Sequence, residues 1–143
     1  MFNVAGYEKQ DKDQVVAFIR KAQADFKPDL EILSRSILVK DDENVVGMVS
    51  YGAYGDMGIV RYFLYDACLA GTDLIIGMFF ELYKRAYSEG IKCLAVGVTN
   101  EEARTLLGML GFTTATKEMP EALKTQLHEN TEIMTINFTP SFF

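Results

Sequence analysis

The sequence predicts an α/β (α+β) fold in a single domain over residues 1–143: a mixed, mostly antiparallel central sheet of about seven strands with one parallel βαβ crossover. Three observations predict it. Strand-forming apolar runs alternate with short polar turns from Ser36 to Asp66. The stretch Arg61–Gly90 then changes character, because a strand breaks at Ala70-Gly71-Thr72-Asp73 and continues as a long apolar helix. Another apolar run, Ile91–Val98, follows at once. Strand, tight turn, helix and strand make a βαβ unit, with a right-handed crossover expected. In such units ligands sit outside the carboxyl ends of the strands, beside the helix N-terminus. The functional question therefore falls on residues 67–75.

The composition bounds the answer. A chain of 143 residues that is 49% hydrophobic can bury a full core without staples. The balance of 20 Asp+Glu against 14 Lys+Arg gives a net charge of −6 and leaves no basic stripe, so no nucleic-acid partner is expected. Cys68 and Cys93 do not make a disulfide framework, and Cys93 reads as a small core residue. Charges follow Met1-Phe2-Asn3-Val4 too quickly for a signal sequence. The longest apolar run, Leu74–Leu82, is too short to cross a bilayer. The expectation is a soluble cytoplasmic protein with no membrane partner.

In chain order, Phe2–Tyr7 is a strand, and Asp11 or Asp13 is placed to cap the next helix. Val15, Val16, Phe18, Ile19, Ala22 and Phe26 recur at helical spacing, and Lys27-Pro28 ends that helix. Pro28 can open a short helix through Leu33. Ser36–Lys40 and Asn44–Tyr54 form a hairpin around Asp41-Asp42-Glu43, and Gly55-Asp56 turns the chain into Met57–Asp66. The long helix starts near Thr72 or Asp73, with Ile75, Met78, Phe79, Leu82 and Ala86 as its core face. Ile76, Phe80 and Tyr83 make its other side apolar as well, which suits a buried helix or an interface. Gly77 weakens this helix, with close packing as the candidate reason. Gly90 suits the left-handed position past the helix end. Thr99-x-x-Glu102 is a capping-box pattern for a helix ending at Leu110, followed by Gly111 and Phe112. Phe112–Lys117 and Glu132–Phe138 read as the last strands, with Pro120–His128 between them as a helix candidate.

This order resembles the GNAT superfamily of acyl-CoA-dependent N-acetyltransferases. Asp42-Glu43-Asn44-Val45-Val46-Gly47 looks like the family's second-to-third-strand hairpin, and Ala86-x-x-x-Gly90 like the end of its central helix. Asn100-x-x-Ala103-x-x-Leu106-Leu107-x-x-x-Gly111-Phe112 resembles its Asn-x-x-Ala-x-x-Leu-Tyr-x-x-x-Gly-Phe segment. The resemblance covers nearly the whole chain and implies helices on both faces of the sheet. It implies acetyl-CoA as acyl donor, with pantetheine between the splayed strands Met57–Asp66 and Ile91–Val98. The pyrophosphate would lie at the turn and helix N-terminus, where free N–H groups and the helix dipole favour an anion. The donor-binding residues it points to are Tyr65, Ala67, Ala70, Gly71, Thr72, Asp73, Leu74 and Ile75, with Asn100 on the pantetheine arm and Arg104 within reach of a phosphate.

The turn departs from the family signature. Ala70 stands where Arg or Gln is usual, Asp73 where the first signature glycine is, and Ile75 where the last small residue is. Gly71 survives. Leu107 replaces the tyrosine that often serves as general acid.

The candidate catalytic bases are Tyr62, Asp66 or a water chain, and alternation puts Tyr62 and Asp66 on one strand face with Arg61, Phe63 and Tyr65 on the other. A backbone N–H around Tyr65 to Ala67 is the candidate for the thioester carbonyl. Each of these residues also has an ordinary structural reading: strand packing for the tyrosines, a turn carboxylate for Asp66, capping for Asp73 and Asn100, a solvated charge for Arg104. Cys68 lacks a basic partner that would activate it, His128 takes no role, and no metal is expected. Two functions remain open. One is acetyl transfer from acetyl-CoA to a small-molecule or protein amine. The other is a non-catalytic GNAT-like binding or dimerisation module that has lost the donor site. For that second function, a homodimer through Ile76–Phe80–Tyr83 and the tail from Phe138 to Phe143 is the candidate contact.

Overall fold

The computed structural model describes residues 1–115 and 131–138. The expected helix Pro120–His128, His128 itself, Lys117 and the tail 139–143 lie outside the described residues.

A seven-stranded sheet runs in the order β1-β2-β3-β4-β5-β7-β6. Its strands are β1 (Phe2–Gly6), β2 (Ser36–Asp41), β3 (Asn44–Tyr54), β4 (Met57–Tyr65), β5 (Cys93–Val98), β6 (Thr113–Thr114) and β7 (Glu132–Asn137). The helices are α1 (Lys12–Ala22), α2 (Leu30–Leu33), α3 (Asp73–Ser88) and α4 (Glu101–Met109), with 3-10 turns at Lys9–Asp11 and Ala67–Leu69. The pairing of β4 with β5 is parallel and covers Met57–Cys93, Gly58–Leu94 and Ile59–Ala95. β1 with β2, β2 with β3, and β7 with both β5 and β6 are antiparallel. The fold is the mixed, mostly antiparallel α/β architecture expected.

The chain divides into two compact units, Met1–Gly52 with Arg61–Arg85, and Ala53–Val60 with the described part of Ala86–Phe143. In the first unit, helices flank both faces of the strands. Val15, Val16, Phe18 and Ile19 of α1 pack with Leu38, Val45 and Met48, joined by Tyr62 and Leu64. The alternate residues face α3, where Phe63 meets Phe79 edge-on at 4.9 Å. The predicted core face of α3 is buried at every position: Ile75, Met78, Phe79, Leu82 and Ala86. Its other side is not uniformly buried: Tyr83 is buried, while Phe80 is 51% exposed beside exposed Glu81 and Lys84.

Two local readings in this unit need correction. α1 ends at Ala22, not at Lys27, and Phe26 returns to the core as part of an irregular segment. The Arg20 guanidinium donates to the Phe26 carbonyl through Nε and Nη2 at 3.3 and 3.2 Å. Asp11 makes no side-chain cap for α1. It is buried, accepts from the Glu8 N–H at 2.9 Å, and pairs with Lys40 at 2.6 Å. A charge this deep needs both partners, and the pairing with Lys40, 29 residues along the chain on β2, is not visible in local sequence.

In the second unit, Ile59, Ala95, Tyr54, Met57 and Ile133 pack together. Lys92 N–H donates to the Asp56 carbonyl, and Phe138 N–H to the Lys92 carbonyl. β5 starts at Cys93, two residues later than the apolar run suggests. Gly90 and Gly111 both take positive φ, at 87° and 100°, as expected beyond helix ends.

Candidate functional site

The turn between β4 and α3 is built by a few short bonds. Asp66 N–H donates to the Val46 carbonyl at 2.8 Å, which fixes the end of β4 against β3. Leu69 N–H then reaches the Asp66 carbonyl at 2.9 Å, and Ala70 N–H the Ala67 carbonyl at 3.1 Å, closing the 3-10 turn. Thr72 donates twice to the Leu69 carbonyl, through N–H at 3.1 Å and Oγ1 at 2.7 Å. Between them Gly71 sits at φ +73°, which glycine adopts without strain. Asp73 opens a helix of 16 residues. First-turn amides of a helix have no intrahelical acceptor. They gather at Asp73, Leu74 and Ile75, behind an open turn: a methyl placed at Gly71 would meet nothing within 4 Å.

The sequence-derived candidates divide. Ala67, Ala70, Gly71 and Asp73 are exposed, and Thr72 and Leu74 are half-buried. Asp73 is an exposed first-turn acid, favourable to the helix dipole and unfavourable to a bound anion. Ile75 is 4% exposed, so its side chain belongs to the core and does not obstruct the turn. Tyr65 is exposed and its ring lies 5.4 Å from Phe63. The Asp66 N–H is engaged by Val46, which leaves the flanking amides, Tyr65 and Ala67, as backbone donors to consider.

Tyr62 and Asp66 are not joined by a hydrogen bond among the described residues. Tyr62 packs edge-on against Phe26, centroids 5.2 Å apart. Burial, with a smaller push from the Asp29 carboxylate, raises its phenol above the usual value against the opposing effect of Arg61. A protonated phenol has no free base to offer the amine near neutrality, and the upward shift takes it further from that role.

In the second unit, Asn100 caps α4: its Oδ1 accepts from Ala103 N–H at 2.8 Å. Arg104 grips the Glu132 carboxylate with both terminal nitrogens, and Glu132 also accepts from the Thr114 hydroxyl at 3.1 Å. Glu101 lies 3.3 Å from the Arg104 Nε. Arg104 thus ties α4 to β7. Leu107 is buried, a core position with no proton to give.

Among the described residues no group of His, Cys, Asp and Glu could hold a metal, and no helix is long and apolar enough to cross a membrane. Sequence reasoning missed Leu69. It is fully buried, and both its N–H and its carbonyl organise the turn. Its only sequence signal is an apolar residue among small and polar ones.

No protein-family model matches the chain, and neither does any curated protein. Solved structures do match. N-acetylglutamate synthase from Neisseria gonorrhoeae, in complex with coenzyme A and N-acetyl-glutamate, superposes with a TM-score of 0.77 at 17% identity over 97% of the chain. The chain spans 35% of that protein's length. A GNAT-family acetyltransferase from Staphylococcus aureus matches with a TM-score of 0.74 at 14% identity, over 97% of this chain and all of that one (100%). The ribosomal-protein-S18-alanine N-acetyltransferase from Escherichia coli gives 0.69 at 17% identity, over 97% and 95%. The chain has the GNAT fold.

Proposed function

We propose that this chain is an acyl-CoA-dependent N-acyltransferase that moves an acetyl group from acetyl-CoA to an amine. The observation that carries the proposal is the open Gly71 turn leading into the first-turn amides of α3. That arrangement offers a pyrophosphate backbone N–H donors and the positive end of a helix dipole. The turn fits the group sterically, because nothing crowds Gly71 and Ile75 turns inward. Asn100 and Arg104 are engaged in the cap and the carboxylate clamp, so the phosphate contacts fall to the turn.

Bound there, acetyl-CoA would supply an activated acyl group for direct transfer. Residues 67–75 would hold its phosphates through Gly71, Asp73, Leu74 and Ile75, with Thr72, Ala67, Ala70 and Tyr65 bordering them. A backbone N–H at Tyr65 or Ala67 would polarise the carbonyl. Asp66, half-buried at the strand end, is the candidate to take the amine's proton, directly or through water. Tyr62, held protonated, is better suited to the leaving thiolate than to the amine.

The test is acetyl-CoA titration followed by thermal shift and calorimetry, then release of free thiol with a panel of small amines and peptides. Binding at micromolar donor with amine-dependent thiol release is expected. No stabilisation at millimolar donor would sink the proposal, since a ligand that binds only the folded state must raise its stability.

Asp73 favours a second reading, in which the fold serves as a non-catalytic binding module or dimer. A carboxylate at the helix start repels a phosphate. A dimer in light scattering with no donor binding would support that reading, with exposed Phe80 as the first contact to mutate.

A further inference from the structure

We infer that Gly47 is a positioning residue for the α3 turn, acting through Leu69; its consequence for the donor rests on the proposed function. Gly47 lies on β3, one residue past the Val46 carbonyl that receives the Asp66 N–H. A methyl group built on Gly47 would stand 2.8 Å from Leu69 Cδ1, closer than two carbons approach, and at ordinary distance from Val39 (3.5 Å) and Tyr65 (3.6 Å). The missing side chain of Gly47 is therefore the seat of the Leu69 side chain, which is fully buried. Leu69 also carries the turn's backbone. Its N–H is held by Asp66, and its carbonyl accepts both donors of Thr72, the residue just before α3.

Val46 and Gly47 thus hold the turn at two points, a hydrogen bond at its start and an apolar socket at its middle. Gly71 and the first amides of α3 take their position from that hold. Gly47 has no positive φ to explain it, so the requirement is for space alone.

The experiment compares Gly47→Ala, Leu69→Ala and the double variant by amide hydrogen exchange at Leu69, Ala70 and Thr72, alongside acetyl-CoA affinity. Gly47→Ala should speed exchange at these three amides by roughly tenfold or more while β2 amides stay protected. It should weaken donor binding by a comparable factor, since small misplacements of a site are costly. In the double variant the alanine methyl enters space that Leu69 has vacated, so both readouts should recover relative to Gly47→Ala. Unchanged exchange in Gly47→Ala would overturn the inference, because Leu69 would then have swung Cδ1 aside without moving its backbone. Lack of recovery in the double variant would also overturn it, by showing that the methyl acts on something other than Leu69. If the wild-type chain binds no acetyl-CoA, the proposed function falls, and the exchange measurements alone decide the role of Gly47.

Discussion

At the residue scale, two of the turn's three departures from the GNAT signature, Ile75 and Asp73, carry different physical weight. Ile75 looks obstructive in sequence, yet its side chain is buried under α3 and leaves the turn open. Asp73 is exposed at the first helical position, where its charge acts on whatever the amides hold. Two unit charges about 4 Å apart in water-like surroundings repel by about 1 kcal/mol, roughly fivefold in affinity. The same carboxylate helps the helix by about 0.3–1 kcal/mol. Asp73→Asn should therefore tighten acetyl-CoA binding by about fivefold while slightly lowering the melting temperature of the free protein. Calorimetry and a thermal melt together check the opposite signs. A lower melting temperature with unchanged affinity would assign Asp73 to the helix alone.

At the element scale, α3 supplies a cleaner test. Gly77 lies inside this helix, where glycine is about 1 kcal/mol less favourable than alanine. The sequence suggests close packing as the reason, but a methyl at Gly77 would meet only Val4 Cγ2, at an ordinary 3.9 Å. Gly77→Ala should stabilise the protein by about 0.5–1 kcal/mol in chemical denaturation, with the midpoint raised and the slope unchanged. A loss of stability would mean that β1 cannot yield the space. This element also shows what the sequence makes legible. The core face of α3 could be read because helical periodicity is a local property, and all five residues assigned to it are buried. The hairpin turn before Asn44 and the glycines after α3 and α4 were legible through turn chemistry, with Asp42 at φ 56°. The end of α1, the Asp11–Lys40 pair and the Gly47–Leu69 seat were not, because each depends on a partner brought in by the fold. The same holds for Tyr62: its spacing with Asp66 suggests a base, while its burial against Phe26 keeps the phenol protonated.

At the scale of the whole molecule, two electrostatic properties follow from the charge and tyrosine content. Burial raises the phenols of Tyr83, Tyr62 and Tyr7, with the Asp11 and Asp13 charges adding to the last. A raised phenol favours the neutral form in the fold, so its contribution is fully present below the unfolded value of about 10 and is lost as pH rises beyond it. Melting temperature should fall as pH rises above about 10, and Tyr83→Phe should flatten that slope. A slope unchanged in Tyr83→Phe would locate the alkaline loss elsewhere.

The second property is the response to salt. The chain carries a net charge of −6, and residues 66–75 contain no basic side chain but two carboxylates, Asp66 and Asp73. A polyphosphate donor would be held there by backbone amides at short range, against a long-range field of its own sign. Raising ionic strength from about 0.01 to about 0.15 M shortens the Debye length from about 30 to about 8 Å. That screens the repulsion and leaves hydrogen bonds at contact largely intact. Acetyl-CoA affinity should therefore hold or rise with salt, the reverse of a site built from arginine and lysine, and the dependence should shrink in Asp73→Asn. Calorimetric titrations across that range check it. Affinity that falls steeply with salt would place the phosphates against the basic side chains of other elements and move the donor site away from the α3 turn.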